Sequence, residues 1–89
     1  MFEEEKIENE FQNSIRYVNN LGSNIKFDFL KMYGLYKQAL FGNNDLEKPW
    51  FFYFKYNNKW FAWKNNYGKT KLDAKKEYIL GVEEIKLFS

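Results

Sequence analysis

Residues 33 to 37 read Tyr-Gly-Leu-Tyr-Lys. On a helix, Tyr33 and Lys37 stand one turn apart on a common face, so a phenol and an ammonium can converge on one phosphate. Tyr36, three residues from Tyr33, places a second ring beside them. Lys59 and Tyr78, further along, offer another ammonium and another phenol. Each of these residues also has a plainer role. Tyr33 and Tyr78 suit boundary tyrosines with a buried ring and a wet hydroxyl, and Lys37 and Lys59 suit solvated lysines. Spacing alone leaves both open.

Other chemistry is excluded by what the chain lacks. Its 89 residues hold no cysteine and no histidine. That removes disulfides, thiolate metal sites, the commonest general base and the commonest neutral metal ligand. No nucleophile–base pair and no ligand cluster can be named, so neither an enzyme nor a metal or cofactor site is expected. The net charge is +2, but it is segregated. The first ten residues carry five Glu against one Lys, whereas Lys48 to Lys76 carries eight Lys against one Asp. Such a field can steer an anion toward one end of a small protein. Lysines interleaved with aromatics also invite a nucleic-acid reading. The low net charge, the lone arginine Arg16 and the acidic start count against it. No secretory signal and no membrane span are expected, which makes the cytoplasm the default location.

The elements that must position these residues follow from the breakers. Gly22-Ser23-Asn24, the segment from Gly42 to Pro49, and Asn65 to Lys69 around Gly68 divide one domain, 1–89, into four stretches of helical length. The first runs from about Glu4 to Asn20, with Ile7, Phe11, Ile15 and Val18 in helical step. The second spans about Phe27 to Phe41. The third spans about Phe51 to Asn65, with Tyr56, Trp60 and Trp63 in step and both tryptophans expected in the core. The fourth spans about Lys71 to Phe88, with Ala74, Tyr78, Val82 and Ile85 in step. Thr70 followed by Asp73 predicts a capping box before it. An all-α fold is expected.

The second stretch is more apolar than one buried stripe requires. Phe29, Leu30, Met32, Tyr33, Leu35, Tyr36, Ala39 and Leu40 cover well over half its circumference. It is either a central helix packed on two sides or a helix that keeps one side for a ligand groove. Gly34 in its middle costs roughly 1 kcal/mol against Ala. It would permit close approach by a helix or by a ligand.

These residues carry a resemblance. Tyr33-Gly-Leu-Tyr36-Lys37-Gln38-Ala39-Leu-Phe-Gly42 resembles the second-helix signature of the acyl-CoA-binding protein family, Tyr-x-x-Tyr/Phe-Lys-Gln-Ala-x-x-Gly. Lys59-Trp60-Phe-Ala62-Trp63, then Gly68 and Tyr78, resemble its later elements at matching separations. Phe11, Val18 and Leu21 fit its first helix, and the loop before Phe29 is about one residue short.

The resemblance implies a four-helix bundle in up-down-down-up order, with a long overhand connection from Gly42 to about Trp50 between helices 2 and 3. It implies reversible binding of medium- to long-chain acyl-CoA by a monomeric, non-catalytic carrier that trades ligand with acyl-CoA-producing and acyl-CoA-consuming enzymes. Tyr36 would meet the adenine. Lys37, Lys59, Tyr33 and Tyr78 would converge on the 3′-phosphate and nearby head group. Phe29, Leu30 and Phe54, with Gly34, would line the acyl groove. Two departures stand out. Asn19 occupies a position that is often basic, with Arg16 one turn earlier as a substitute. The connection also carries Trp50-Phe51-Phe52, which could reshape the groove end. The other function compatible with the residues is a small helical interaction module that docks a partner through its aromatic groove.

Overall fold

Asp28 decides where the second helix begins. Its carboxylate accepts a hydrogen bond from the Lys31 N–H at 3.1 Å and so caps the first turn. The helix therefore starts at Phe29, two residues later than the apolar pattern predicts. The computed structural model describes residues 2–22, 25–49 and 54–88, with side chains described throughout except at 54–57. Trp50, Phe51, Phe52 and the side chains of Phe54 and Tyr56 thus lie outside the described residues.

Four helices follow in order: α1 Phe2–Asn19, α2 Phe29–Phe41, α3 Phe54–Lys64 and α4 Lys71–Leu87. Glu3, Glu4 and Glu5 fill the first turn of α1, where carboxylates suit the positive end of the helix dipole. Thr70 caps α4 by accepting the Asp73 N–H at 3.0 Å. Gly42 closes α2 with φ +77°, a conformation glycine adopts without a side-chain penalty; its N–H donates to Gln38 O at 2.9 Å.

Contacts between helices fix their directions. Glu8 meets Lys75, Phe11 meets Tyr78 and Tyr17 meets Lys86, so α1 and α4 run parallel. Tyr36 faces Tyr78 and Met32 faces Gly81, so α2 runs against α4. Tyr33 faces Lys59 and Gly34 faces Ala62, so α3 runs with α2. The expected up-down-down-up order results. Among the described residues α1 packs on α4, α4 on α2 and α2 on α3, but α1 does not pack on α2, nor α3 on α4. This serial packing gives a flat molecule, 41 × 36 × 15 Å. It also explains the surplus apolar surface of α2, which packs against α3 and α4 and still borders several openings.

Phe11, Met32, Leu35, Ala39, Ala74, Tyr78 and Val82 form the buried cluster. The two α3 tryptophans do not join it. Both are half-buried and tie down the overhand connection instead: Trp60 Nε1 donates to Leu46 O at 3.1 Å, and Trp63 Nε1 donates to Gly42 O at 2.8 Å. An indole N–H buried in the core needs a partner there, and here the backbone of the connection supplies it at the edge. Asn44 is the hub of the same region. It is fully buried, its Nδ2 donates to Trp60 O at 3.2 Å, its Oδ1 accepts the Leu46 N–H at 3.0 Å, and its carbonyl accepts from Lys64 Nζ at 3.1 Å.

Candidate ligand site

The first opening lies between α1 and α2, with α4 as its floor. It is a cleft of about 260 Å³ lined by Ile15, Val18 and Asn19 from α1, Phe27, Phe29, Met32, Tyr33 and Tyr36 from α2 and the residues before it, and Tyr78 from α4. Four of the predicted head-group residues, Asn19, Tyr33, Tyr36 and Tyr78, are thereby brought to one place. The rings are arranged in contact. Phe29 stacks on Tyr33 at 6.0 Å and 30°, Tyr36 tilts against Tyr78 at 6.4 Å, and Phe11 meets Tyr78 edge-on at 5.3 Å. Asn19, the last residue of α1, is exposed on the rim. Ile15 and Val18, which periodicity assigns to the core, are half-buried and form a wall of the cleft.

Tyr78 is 4% exposed, and burial together with the neighbouring Tyr36 phenol pushes its pKa up to about 12. Its hydroxyl therefore remains protonated across the physiological range and can donate a hydrogen bond to an anion.

Lys59 comes to this site from α3. Its Nζ lies 5.2 Å from the centroid of the Tyr33 ring, a cation–π distance. Gly34 makes that approach possible. A Cβ built there would fall inside contact distance of Ala62 O and 2.7 Å from the Ala62 carbonyl carbon. Of the two approaches that Gly34 would permit, the structure thus shows that of a helix: Gly34 is buried against the α3 backbone.

Lys37 is placed differently. Its Nζ sits 4.5 Å from the Phe41 ring centroid and 4.8 Å from that of Trp63, one turn beyond the position that would face Tyr33. Among the described residues neither Lys37 nor Lys59 is paired with a carboxylate.

Phe29 and Leu30, expected in one groove, diverge because adjacent helical residues point about 100° apart. Phe29, 53% exposed, belongs to the cleft. Leu30 lines the second opening, a trough of about 440 Å³ between α3 and α4 over α2, with Leu35, Phe61, Ala62, Asn66, Lys69 and Glu77 among its other walls. Gln38, read only as part of the signature, holds the far end of α2. It is fully buried, and its Nε2 donates to Asn43 Oδ1 at 3.0 Å and Lys69 O at 2.7 Å.

A flat four-helix scaffold with a tyrosine-lined cleft and a lysine at its margin has the groups to meet an anionic, ring-bearing ligand. Comparison with known proteins specifies the class. The family model described as acyl CoA binding protein matches residues 8–82. Acyl-CoA-binding protein from Saccharomyces cerevisiae is 45% identical over 76 residues, covering 84% of this chain and 87% of that one. Acyl-CoA-binding protein homolog 1 from Caenorhabditis elegans is 43% identical over 58 residues, covering 65% and 67%. The crystal structure of Oryza sativa acyl-CoA-binding protein 2 superposes with a TM-score of 0.85 at 35% identity, covering 92% of both chains. The chain belongs to the acyl-CoA-binding protein family. No helix among its described residues is long and apolar enough to cross a membrane.

Proposed function

We propose that this chain binds medium- to long-chain acyl-CoA esters reversibly and carries and buffers them as a non-catalytic, cytoplasmic monomer. The observation that supports this most directly is the meeting of Lys59 with Tyr33 beside a cleft walled by Tyr36 and Tyr78. CoA presents a purine face, a dense phosphate group and a long apolar tail. In this reading Tyr36 stacks on the adenine. Lys59 and Lys37 with the Tyr33 and Tyr78 phenols hold the 3′-phosphate, and Asn19 contributes an uncharged contact at the rim. The tail is assigned to the start of α2 and α3, leaving the cleft at Phe29 and passing over the first turn of α2 to Leu30, toward Phe54. Gly34 serves by letting α3 close on α2. Enzymes that make and use acyl-CoA are the partners that such a carrier requires.

Titration calorimetry with palmitoyl-CoA, free CoA and palmitate tests this. Palmitoyl-CoA is expected to bind tightest and palmitate weakest, because only the ester engages both parts of the site. Each buried methylene is worth about 0.8 kcal/mol, so two added carbons should tighten binding roughly tenfold until the tail's contacts are used up. Palmitate binding as tight as palmitoyl-CoA, or a flat chain-length series, would contradict the assignment.

A further inference from the structure

Lys37 occupies a site of its own. Its ammonium is held between two rings whose centroids are 6.1 Å apart and whose planes are inclined at 52°. One wall is fixed, because the Trp63 indole is anchored on Gly42 O. The other wall is Phe41, and it is 59% exposed. A ring that open contributes little through burial, yet it lies one turn from Lys37 and faces its charge. Lys37, Phe41 and Trp63 line a depression of about 440 Å³ with Asn43, Asp45 and Leu46, and none of these residues lines the tyrosine cleft. Asp45, the carboxylate in that depression, accepts from Tyr67 Oη at 3.2 Å. Tyr33 lies one turn to the other side of Lys37 and is met by Lys59.

We propose that Phe41 sets the affinity for the CoA head group by storing Lys37 in a two-ring cage, from which the ammonium swings to the phosphate when ligand binds. This rests on the reading of Lys37 as a phosphate ligand. Binding then exchanges a cation–π contact for a charge-assisted hydrogen bond, and the free protein is stabilised relative to the complex by the contact given up. Phe41 is a positioning residue: it acts on the ligand only through Lys37. Without its ring the ammonium is freer to turn toward Tyr33, and binding is tighter by about two- to fivefold, the equilibrium factor of one exposed cation–π contact.

Two measurements on the full chain test this. In the free protein, the Lys37 Cε protons should resonate upfield, shifted by the ring currents of Phe41 and Trp63, and move downfield when palmitoyl-CoA is added. In calorimetry with palmitoyl-CoA, Phe41→Leu should tighten binding two- to fivefold, Phe41→Tyr should restore the parent value, and Phe41→Leu should change nothing in a Lys37→Ala background. Unshifted Cε protons in the free protein, or a Phe41→Leu variant that binds no tighter than the parent, overturns the cage. If Lys37→Ala itself leaves affinity intact, the phosphate assignment of Lys37 falls and the cage with it. If Lys37→Ala weakens binding while Phe41→Leu is neutral, the cage alone falls.

Discussion

Two of the openings beside α2, the cleft and the trough, arise from the same packing scheme but are finished differently. Among the described residues the backbones of α1 and α2 do not pack on one another, and neither do those of α3 and α4, so each pair leaves a gap bridged by the helix between. The cleft between α1 and α2 is walled by rings, with Lys59 at its margin over Tyr33. The trough between α3 and α4 is walled partly by amides, and Lys69, one of its two lysines, is already engaged. Lys69 Nζ lies 2.9 Å from Glu77 Oε2 and also donates to Asn66 Oδ1. On the proposed reading, a concave surface is not enough to make an anion site. The cation must be within reach yet not neutralised by a neighbouring carboxylate, and rings are the neighbours that hold a lysine without cancelling its charge.

The contact between α2 and α3 brings Lys59 to the cleft, and disrupting it gives the largest expected effect. Gly34→Val places a branched side chain against the Ala62 backbone, which cannot move without shifting α3 as a whole. Overpacking of this kind costs about 1–3 kcal/mol, and backbone contact puts this site at the upper end. Urea denaturation followed by circular dichroism should show the unfolding free energy fall by that amount. Gly81→Ala should cost less. The added methyl there meets the Met32 sulfur at 2.7 Å, and a flexible thioether can give way.

The second effect separates the lysines of the two openings. Lys59→Ala should weaken palmitoyl-CoA binding about tenfold, the scale of one charge-assisted hydrogen bond. Lys69→Ala, on the trough, should leave the affinity within twofold of the parent. Equal losses from both variants would mean that the general basic field, not the cleft, does the binding.

The smallest effect is a pH dependence. The folded state holds the Tyr78 proton more tightly than the unfolded chain does. Stability should be insensitive to this group below the ordinary tyrosine pKa of about 10 and should decline from there toward about 12, as unfolded chains ionise first. Denaturation midpoints at pH 9 and pH 11 should therefore differ more for the parent than for Tyr78→Phe.

Much of this was legible in the residues, and what was not has identifiable causes. The four helices and their direction were readable, because apolar spacing marks each helix and the family signature implies the overhand connection. The cleft tyrosines were readable because Tyr33 and Tyr36 share a helix and Tyr78 keeps the core step of α4. The destination of Lys37 was not, since a long side chain takes its direction from neighbours such as Trp63, which only the tertiary fold supplies. Periodicity placed Trp60 and Trp63 in the core because it counts rings and ignores their N–H groups. Asn44 looked like one more loop residue in Gly-Asn-Asn-Asp, although its buried amide organises the connection. Gly34 has two meanings in the sequence alone, and the Ala62 backbone packed against it supplies one of them.

In the proposed complex the 3′-phosphate of CoA meets Lys59 beside Tyr33. A double cycle measures it: palmitoyl-CoA and its 3′-dephospho form, each titrated into the parent and into Lys59→Ala, on proteins with matching helical circular dichroism. Removing the phosphate also removes the contact that Lys59→Ala deletes, so it should weaken binding to the parent about tenfold or more and weaken binding to Lys59→Ala by less, the remainder coming from Lys37, Tyr33 and Tyr78. Full, additive losses from both changes would show that Lys59 does not touch the phosphate.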